Sequence, residues 1–113
     1  MKLISEKLEV RGATLLASCL ELENAVILII SEGRVRLGTT TIAIPESEWG
    51  VPYSSTILGE RDSVASRMVA EHAAKKTGKI ALASVHLKSV KVEDAAGPIM
   101  KLVEKVLSGG SRG

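Results

Sequence analysis

The chain has 113 residues, a formal net charge of +2 at pH 7 and 45% hydrophobic residues, which fits one small domain with one core. Trp49 and Tyr53 are its two aromatic residues, so the core must consist of aliphatic side chains and Met, and a stacking platform for single-stranded nucleic acid is disfavoured. Basic residues alternate with acidic ones, which argues against the concentrated basic face of a nucleic-acid-binding protein.

The first third of the chain reads as β-strands joined by tight turns. Leu3–Val10 mixes charged and apolar residues, which suits an exposed or edge strand, and Gly12 in the next turn can adopt positive φ. Thr14–Leu22 predicts a second strand. Ala25–Ile30 is a short, continuous apolar run rich in β-branched residues and predicts a central strand.

A turn at Gly33 is expected to lead into a long strand, Arg34–Ile44. At its start two arginines, Arg34 and Arg36, alternate with Val35 and Leu37. This period of two predicts one buried and one wet face, with the arginines on the wet face.

The second half of the chain predicts two strands and two helices. After a loop at Pro45–Tyr53, the expected elements are strand Ser54–Leu58, helix Asp62–Thr77, strand Ile80–Leu87 and a final helix from about Asp94 to Ser108. Asp62 or Ser63 is the expected helix N-cap, and Gly78 the expected C-terminal stop. Pro98 is expected in the first turn of the last helix. We expect one domain over residues 1–108 and a disordered tail over 109–113.

Two predicted strands are apolar on both faces, although two helices can cover only one face of a sheet. In Ala25–Ile30 and Ile80–Leu87 the side chains on both faces of the strand are apolar, whereas a strand with one solvent-exposed face would carry polar groups at every second position. The fold class expected is therefore α+β: an antiparallel sheet of about six strands, two helices on one face, and the other face packed in a homodimer. Candidate interface residues are Ile27, Ile29 and Val85. A closed barrel is the alternative, disfavoured because two amphipathic helices fit poorly on so small a barrel.

Nothing in the sequence forms a recognisable catalytic or cofactor motif. Cys19 is the single cysteine and is expected to be buried and inert, and His72 and His86 lack the spacing of a metal-ligand pair. No phosphate-binding loop is present. We therefore expect no enzyme activity, no metal and no cofactor. Charges near the start interrupt any apolar run, so a cytoplasmic protein without a membrane partner is expected.

Three segments resemble the small proteasome-assembly chaperones, the third and, more distantly, the fourth of the eukaryotic set. They are the apolar hairpin Val26–Thr39, the block Thr56–Asp62 and the strand Ala81–Lys88, with matching element order over nearly the whole chain. The resemblance implies an antiparallel sheet flanked by helices that dimerises through the sheet, in a homodimer or with a paralogue. It also implies a non-enzymatic role in binding proteasome α subunits, and the short loops resemble an archaeal version.

Because the apolar face would be used in the dimer, exposed polar groups are the expected contacts with an α subunit. Candidates are Arg34 and Arg36, whose guanidinium groups suit paired hydrogen bonds to carboxylates, and the turn formed by Glu60, Arg61 and Asp62.

A second hypothesis is a small dimeric enzyme or ligand-binding protein. Its site would lie at the dimer seam, near Trp49, Tyr53 and the Glu60–Asp62 turn. A pocket with converging polar groups would favour this hypothesis, and a flat, closed seam would favour the chaperone.

Overall fold

The computed structural model describes residues 2–45 and 53–109. Within them the chain forms one six-stranded sheet and two helices, an α+β arrangement. In chain order the elements are β1 Lys2–Val10, β2 Ala13–Glu21, β3 Ala25–Glu32, β4 Thr39–Ile44, β5 Tyr53–Leu58, α1 Ser63–Thr77, β6 Ile80–His86 and α2 Val92–Leu107. The predicted elements are thus confirmed, with shifts at several ends.

The strand order is β1-β2-β3-β6-β4-β5, and all neighbouring pairs are antiparallel except β3 with β6. The expected hairpin between β3 and β4 is therefore wrong, because β6 lies between them. β3 and β6 are the two central strands, as expected for strands whose apolar side chains need cover on both faces of the sheet. β1 and β5 remain the two edges of the described sheet, so the barrel alternative is also wrong.

The loop between β3 and β4 differs most from expectation. The prediction that residues 34–38 form a strand is wrong, because β4 begins at Thr39. All four residues from Arg34 to Leu37 are exposed, with Val35 and Leu37 at 60% and 66% of their full accessibility, so this segment has no buried face.

Both helices cover the same face of the sheet. The core between them and the sheet consists of Leu, Ile, Val and Ala side chains, among them Leu28 and Ile30 from β3, Val69 from α1, and Ile99 from α2. Cys19 is buried in this core, and burial raises the pKa of its thiol, helped by the nearby charge of Glu21.

The helix ends match the sequence signals only in part. Gly78 adopts the left-handed conformation and donates its N–H to the Ala74 carbonyl, which confirms the predicted stop. Asp62 is the N-cap of α1, but its side chain makes no cap hydrogen bond. Pro98 lies in the interior of α2 and not in its first turn, because the helix begins at Val92.

Gly12 in the β1–β2 turn has a φ of +80°, which confirms the predicted positive value, and the preceding Arg11 has a φ of +48°. The predicted loop at Pro45–Tyr53, with Trp49, falls mostly on residues 46–52, and the predicted tail mostly on residues 110–113; both stretches lie outside the described residues. Neither α1 nor α2 is long and apolar enough to span a bilayer.

Candidate functional site

The face of the sheet opposite the helices carries an apolar patch that no described element covers. We call this the open face. In the sheet register, side chains from five neighbouring strands line up across it, namely Leu3, Leu20, Ile27, Leu82 and Ile42. Ile29 lies on the same face and, like Ile27, is only half-buried.

Val85 does not belong to the open face. It is completely buried in the core beneath the helices and pairs in register with Ile30, whose side chain points the same way. Its candidacy for the dimer interface is therefore wrong, and Ile27 and Ile29 are the two candidates on the uncovered side.

A second surface feature is a polar cleft of about 560 Å³ where β2 begins and β3 and β6 end. We call it the basic cleft. Its lining includes four basic side chains, Arg34, Arg36, His86 and Lys88, and none of these side chains has an ion pair or hydrogen bond to another described residue. The structure therefore brings the two predicted arginines together, and it adds His86 and Lys88, which the sequence did not indicate.

The loop that carries the arginines is anchored at its end against β6. Gly38 donates its backbone N–H to the Ser84 hydroxyl over 2.7 Å, and its carbonyl accepts from the Thr40 hydroxyl over 3.0 Å. A Cβ at Gly38 would lie 2.3 Å from the carbonyl oxygen of Val85, so only glycine permits this approach. The close contact sets Arg36 beside the end of β6, where His86 lies.

The loop on the other side of the cleft is held by Glu32, which is only 8% exposed. Its carboxylate accepts the backbone N–H groups of Lys88, Ser89 and Val90 and the Ser89 hydroxyl, over distances of 2.5–3.0 Å. Burial acts to raise the pKa of Glu32, but these hydrogen bonds outweigh it and lower the pKa from 4.5 to about 2. Glu32 thus remains ionised and fixes the loop between β6 and α2.

The turn Glu60-Arg61-Asp62 is hydrogen-bonded to the same loop between β6 and α2. Arg61 is exposed, and its guanidinium donates to the carbonyl of Lys88 over 3.0 Å. Asp62 is buried; its carboxylate accepts the Leu87 N–H over 3.2 Å, so the part it can play at a surface is one of positioning. Glu60 is exposed and lines a separate shallow groove beside Val64 of α1.

The second hypothesis required a site that joins Trp49, Tyr53 and the Glu60–Asp62 turn. Trp49 lies outside the described residues, and Tyr53 is exposed on the edge strand β5 and does not line the groove of Glu60. Among residues 2–45 and 53–109, no three His, Cys, Asp or Glu side chains converge as metal ligands would.

No protein-family model matches the chain, and no curated protein matches it in sequence. The fold does match a solved structure, a crystal structure of a chaperone complex for yeast 20S proteasome assembly, with a TM-score of 0.67. The two chains are 16% identical, and the match covers 95% of this chain and 92% of the other. At this identity the likeness establishes a shared fold.

Proposed function

We propose that this protein is a proteasome-assembly-chaperone-like protein that binds a proteasome α subunit and performs no catalysis. The observation that carries the proposal is the fold shared over 95% of the chain with a component of a yeast 20S proteasome assembly chaperone complex. The resemblance of the segments Val26–Thr39, Thr56–Asp62 and Ala81–Lys88 to the small proteasome-assembly chaperones supports the same proposal. A cytoplasmic location, without cofactor, follows from the same proposal.

The protein acts as a dimer, with itself or with a paralogue, through the open face. The row of Leu and Ile side chains across five strands is too apolar for a surface that meets only water. Two such faces packed about 10 Å apart would bury both rows and form a second core between the sheets.

Contact with the α subunit uses the polar end of the sheet, where Arg34, Arg36 and the exposed part of the Glu60–Asp62 turn lie. Arg61 and Lys88 connect the turn to the basic cleft, so these groups act as one surface of the folded protein. Arginine is enriched at protein interfaces because its planar group makes paired hydrogen bonds to carboxylates.

The proposal is tested by mixing the purified protein with the α subunits of its own source and following complex formation by light scattering coupled to size-exclusion chromatography. A complex with an α subunit, absent with a β subunit as the matched control, is expected, together with a dimer mass for the protein alone. Failure to bind any α subunit at low salt would overturn the α-subunit proposal, and a monomer at micromolar concentration would overturn the dimer.

A further inference from the structure

The basic cleft gathers the cations Arg34, Arg36 and Lys88, together with the imidazole of His86, without an ion-pair partner among the described residues. Elsewhere in the described chain three cations form ion pairs, Lys76 with Glu104, Lys79 with Glu21 and Arg11 with Asp94, and the remaining unpaired cations are spread over the surface. The four basic side chains of the cleft lack such pairs, and the one carboxylate that lines the cleft, that of Glu32, is occupied by the β6–α2 loop. The cleft is therefore a local excess of donors in a chain whose net charge is only +2.

We propose that the basic cleft binds an acidic segment of a partner protein, in which carboxylates lie beside apolar side chains. Arg34 and Arg36 each offer a planar fork of N–H donors that fits a carboxylate with two hydrogen bonds, and Lys88 adds a point charge. The volume of about 560 Å³ suits several side chains of an extended peptide. That the segment comes from an α subunit rests on the proposed function; that the cleft binds carboxylates does not.

Exposed apolar side chains next to the arginines favour a protein ligand over a nucleic acid. Val35 and Leu37 do not line the cleft itself, but they stand between and after the arginines and are 60% and 66% exposed. Val35 lines a neighbouring groove beside β1 and β2, so the loop presents apolar surface next to the charged cleft. A phosphate backbone would offer nothing to the apolar groups, and the described lining of the cleft holds no Phe, Tyr or Trp ring on which a base could stack. A peptide of mixed acidic and apolar residues matches both.

The walls of the cleft are fixed before any ligand arrives. The anchored Gly38 holds one loop, the Glu32 carboxylate holds the other, and Arg61 ties the second loop to the turn before α1. Because backbone order is already established, binding requires little more than the ordering of the basic side chains, and less affinity is lost to entropy.

The direct test is fluorescence anisotropy at low salt with a labelled peptide in which Asp and Glu alternate with Leu and Val, compared with the same peptide carrying Asn and Gln. The acidic peptide should bind and the amide peptide should bind at least about tenfold more weakly. Arg34→Glu with Arg36→Glu should weaken the acidic peptide by roughly tenfold or more, and Lys88→Gln by a few fold, with unchanged circular dichroism.

The matched control is Lys75→Glu with Lys101→Glu, which changes the net charge equally at two exposed positions on α1 and α2. It should leave peptide binding within about twofold of wild type. Equal loss in both double variants, or no loss in the arginine variant, would overturn the cleft as the site. Tighter binding of a single-stranded oligonucleotide or of inorganic polyphosphate than of the acidic peptide would overturn the choice of ligand.

The same variants separate this inference from the proposed function. If an α subunit binds wild type and the arginine variant equally, the cleft inference fails while the chaperone proposal stands. If the acidic peptide requires the cleft but no α subunit binds, the cleft inference stands and the chaperone proposal fails.

Discussion

Glu32→Gln is the substitution whose consequence the structure defines most sharply. The buried carboxylate accepts hydrogen bonds from three consecutive backbone N–H groups and one hydroxyl, and Gln removes the charge and replaces one acceptor oxygen with a donor. The amide must either turn its NH₂ towards the loop N–H groups or leave one of them unpaired. Both outcomes loosen the segment that joins β6 to α2.

The magnitude follows from the pKa of Glu32, which lies at about 2 instead of 4.5. Each unit of pKa difference between the folded and unfolded states is worth ~1.4 kcal/mol, so the ionised carboxylate contributes about 3 kcal/mol at pH 7. Because the residue is almost fully buried, little of this is screened by solvent. The total free energy of unfolding of a small domain is about 5–15 kcal/mol, so a loss of this size in Glu32→Gln should be easily measured.

The sign of the pH dependence is fixed by the direction of the pKa change. A lowered carboxylate pKa stabilises the fold fully above pH 4.5, and the contribution is lost as the pH falls from there through about 2. Urea unfolding at fixed protein concentration should give a wild-type advantage over Glu32→Gln of about 3 kcal/mol at pH 7 and about 1 kcal/mol at pH 3. The same advantage at both pH values, or one below about 1 kcal/mol at pH 7, would refute the reasoning.

The matched control for Glu32→Gln is Glu23→Gln, which removes a carboxylate from the exposed β2–β3 turn. It should change the free energy of unfolding by less than about 0.5 kcal/mol, because surface substitutions away from buried networks are nearly neutral. A loss as large as that of Glu32→Gln would show that net charge is responsible, and not the hydrogen bonds between Glu32 and the β6–α2 loop.

Three further outcomes are expected. Gly38→Ala should lower the free energy of unfolding by about 1–3 kcal/mol in urea unfolding, because its Cβ meets the β6 backbone, whereas Gly97→Ala, with open space around the new Cβ, should change it by less than about 1 kcal/mol. Ile27→Lys on the open face should give a folded monomer by light scattering, whereas Val85→Lys should unfold the protein; a folded Val85→Lys dimer would contradict the assignment of faces. Cys19 should react with a thiol reagent only after unfolding, because its thiol is buried and its pKa raised; rapid reaction of the native protein would contradict this.

Local sequence patterns predicted most of the elements but not which strands are neighbours. The apolar runs at β3 and β6 identified two central strands, because a strand without a polar side needs cover on both faces. Alternation assigns side chains to faces and carries no information on pairing, however. The tight turn at Gly33 favoured a hairpin, and the parallel pairing of β3 with β6 depends instead on packing that spans more than 50 residues of sequence.

The prediction of a strand at residues 34–38 was wrong for a physical reason that the alternation of side chains does not reveal. A segment such as Arg34–Leu37 reads as a strand, but it can act as one only if a neighbouring backbone is free to pair with it. Here β6 occupies the place beside β3, and the chain must pass over the end of β6 before β4 can begin. The close approach of Gly38 to Val85 marks this crossing, and the residues before it are left exposed with their side chains unpaired.

The same topology explains why half of the basic cleft could not be predicted. Arg34 and His86 are about half the chain apart in sequence, yet Ser31 and His86 are register partners in the β3–β6 pair. Because parallel strands end at the same edge of a sheet, the segments that follow them must lie side by side, and both happen to be basic. β3 and β6 are the one parallel pair in the described sheet, so the cleft forms at the one edge where two strand-ending loops meet. If the cleft binds a partner, the departure from an all-antiparallel sheet is what creates the site.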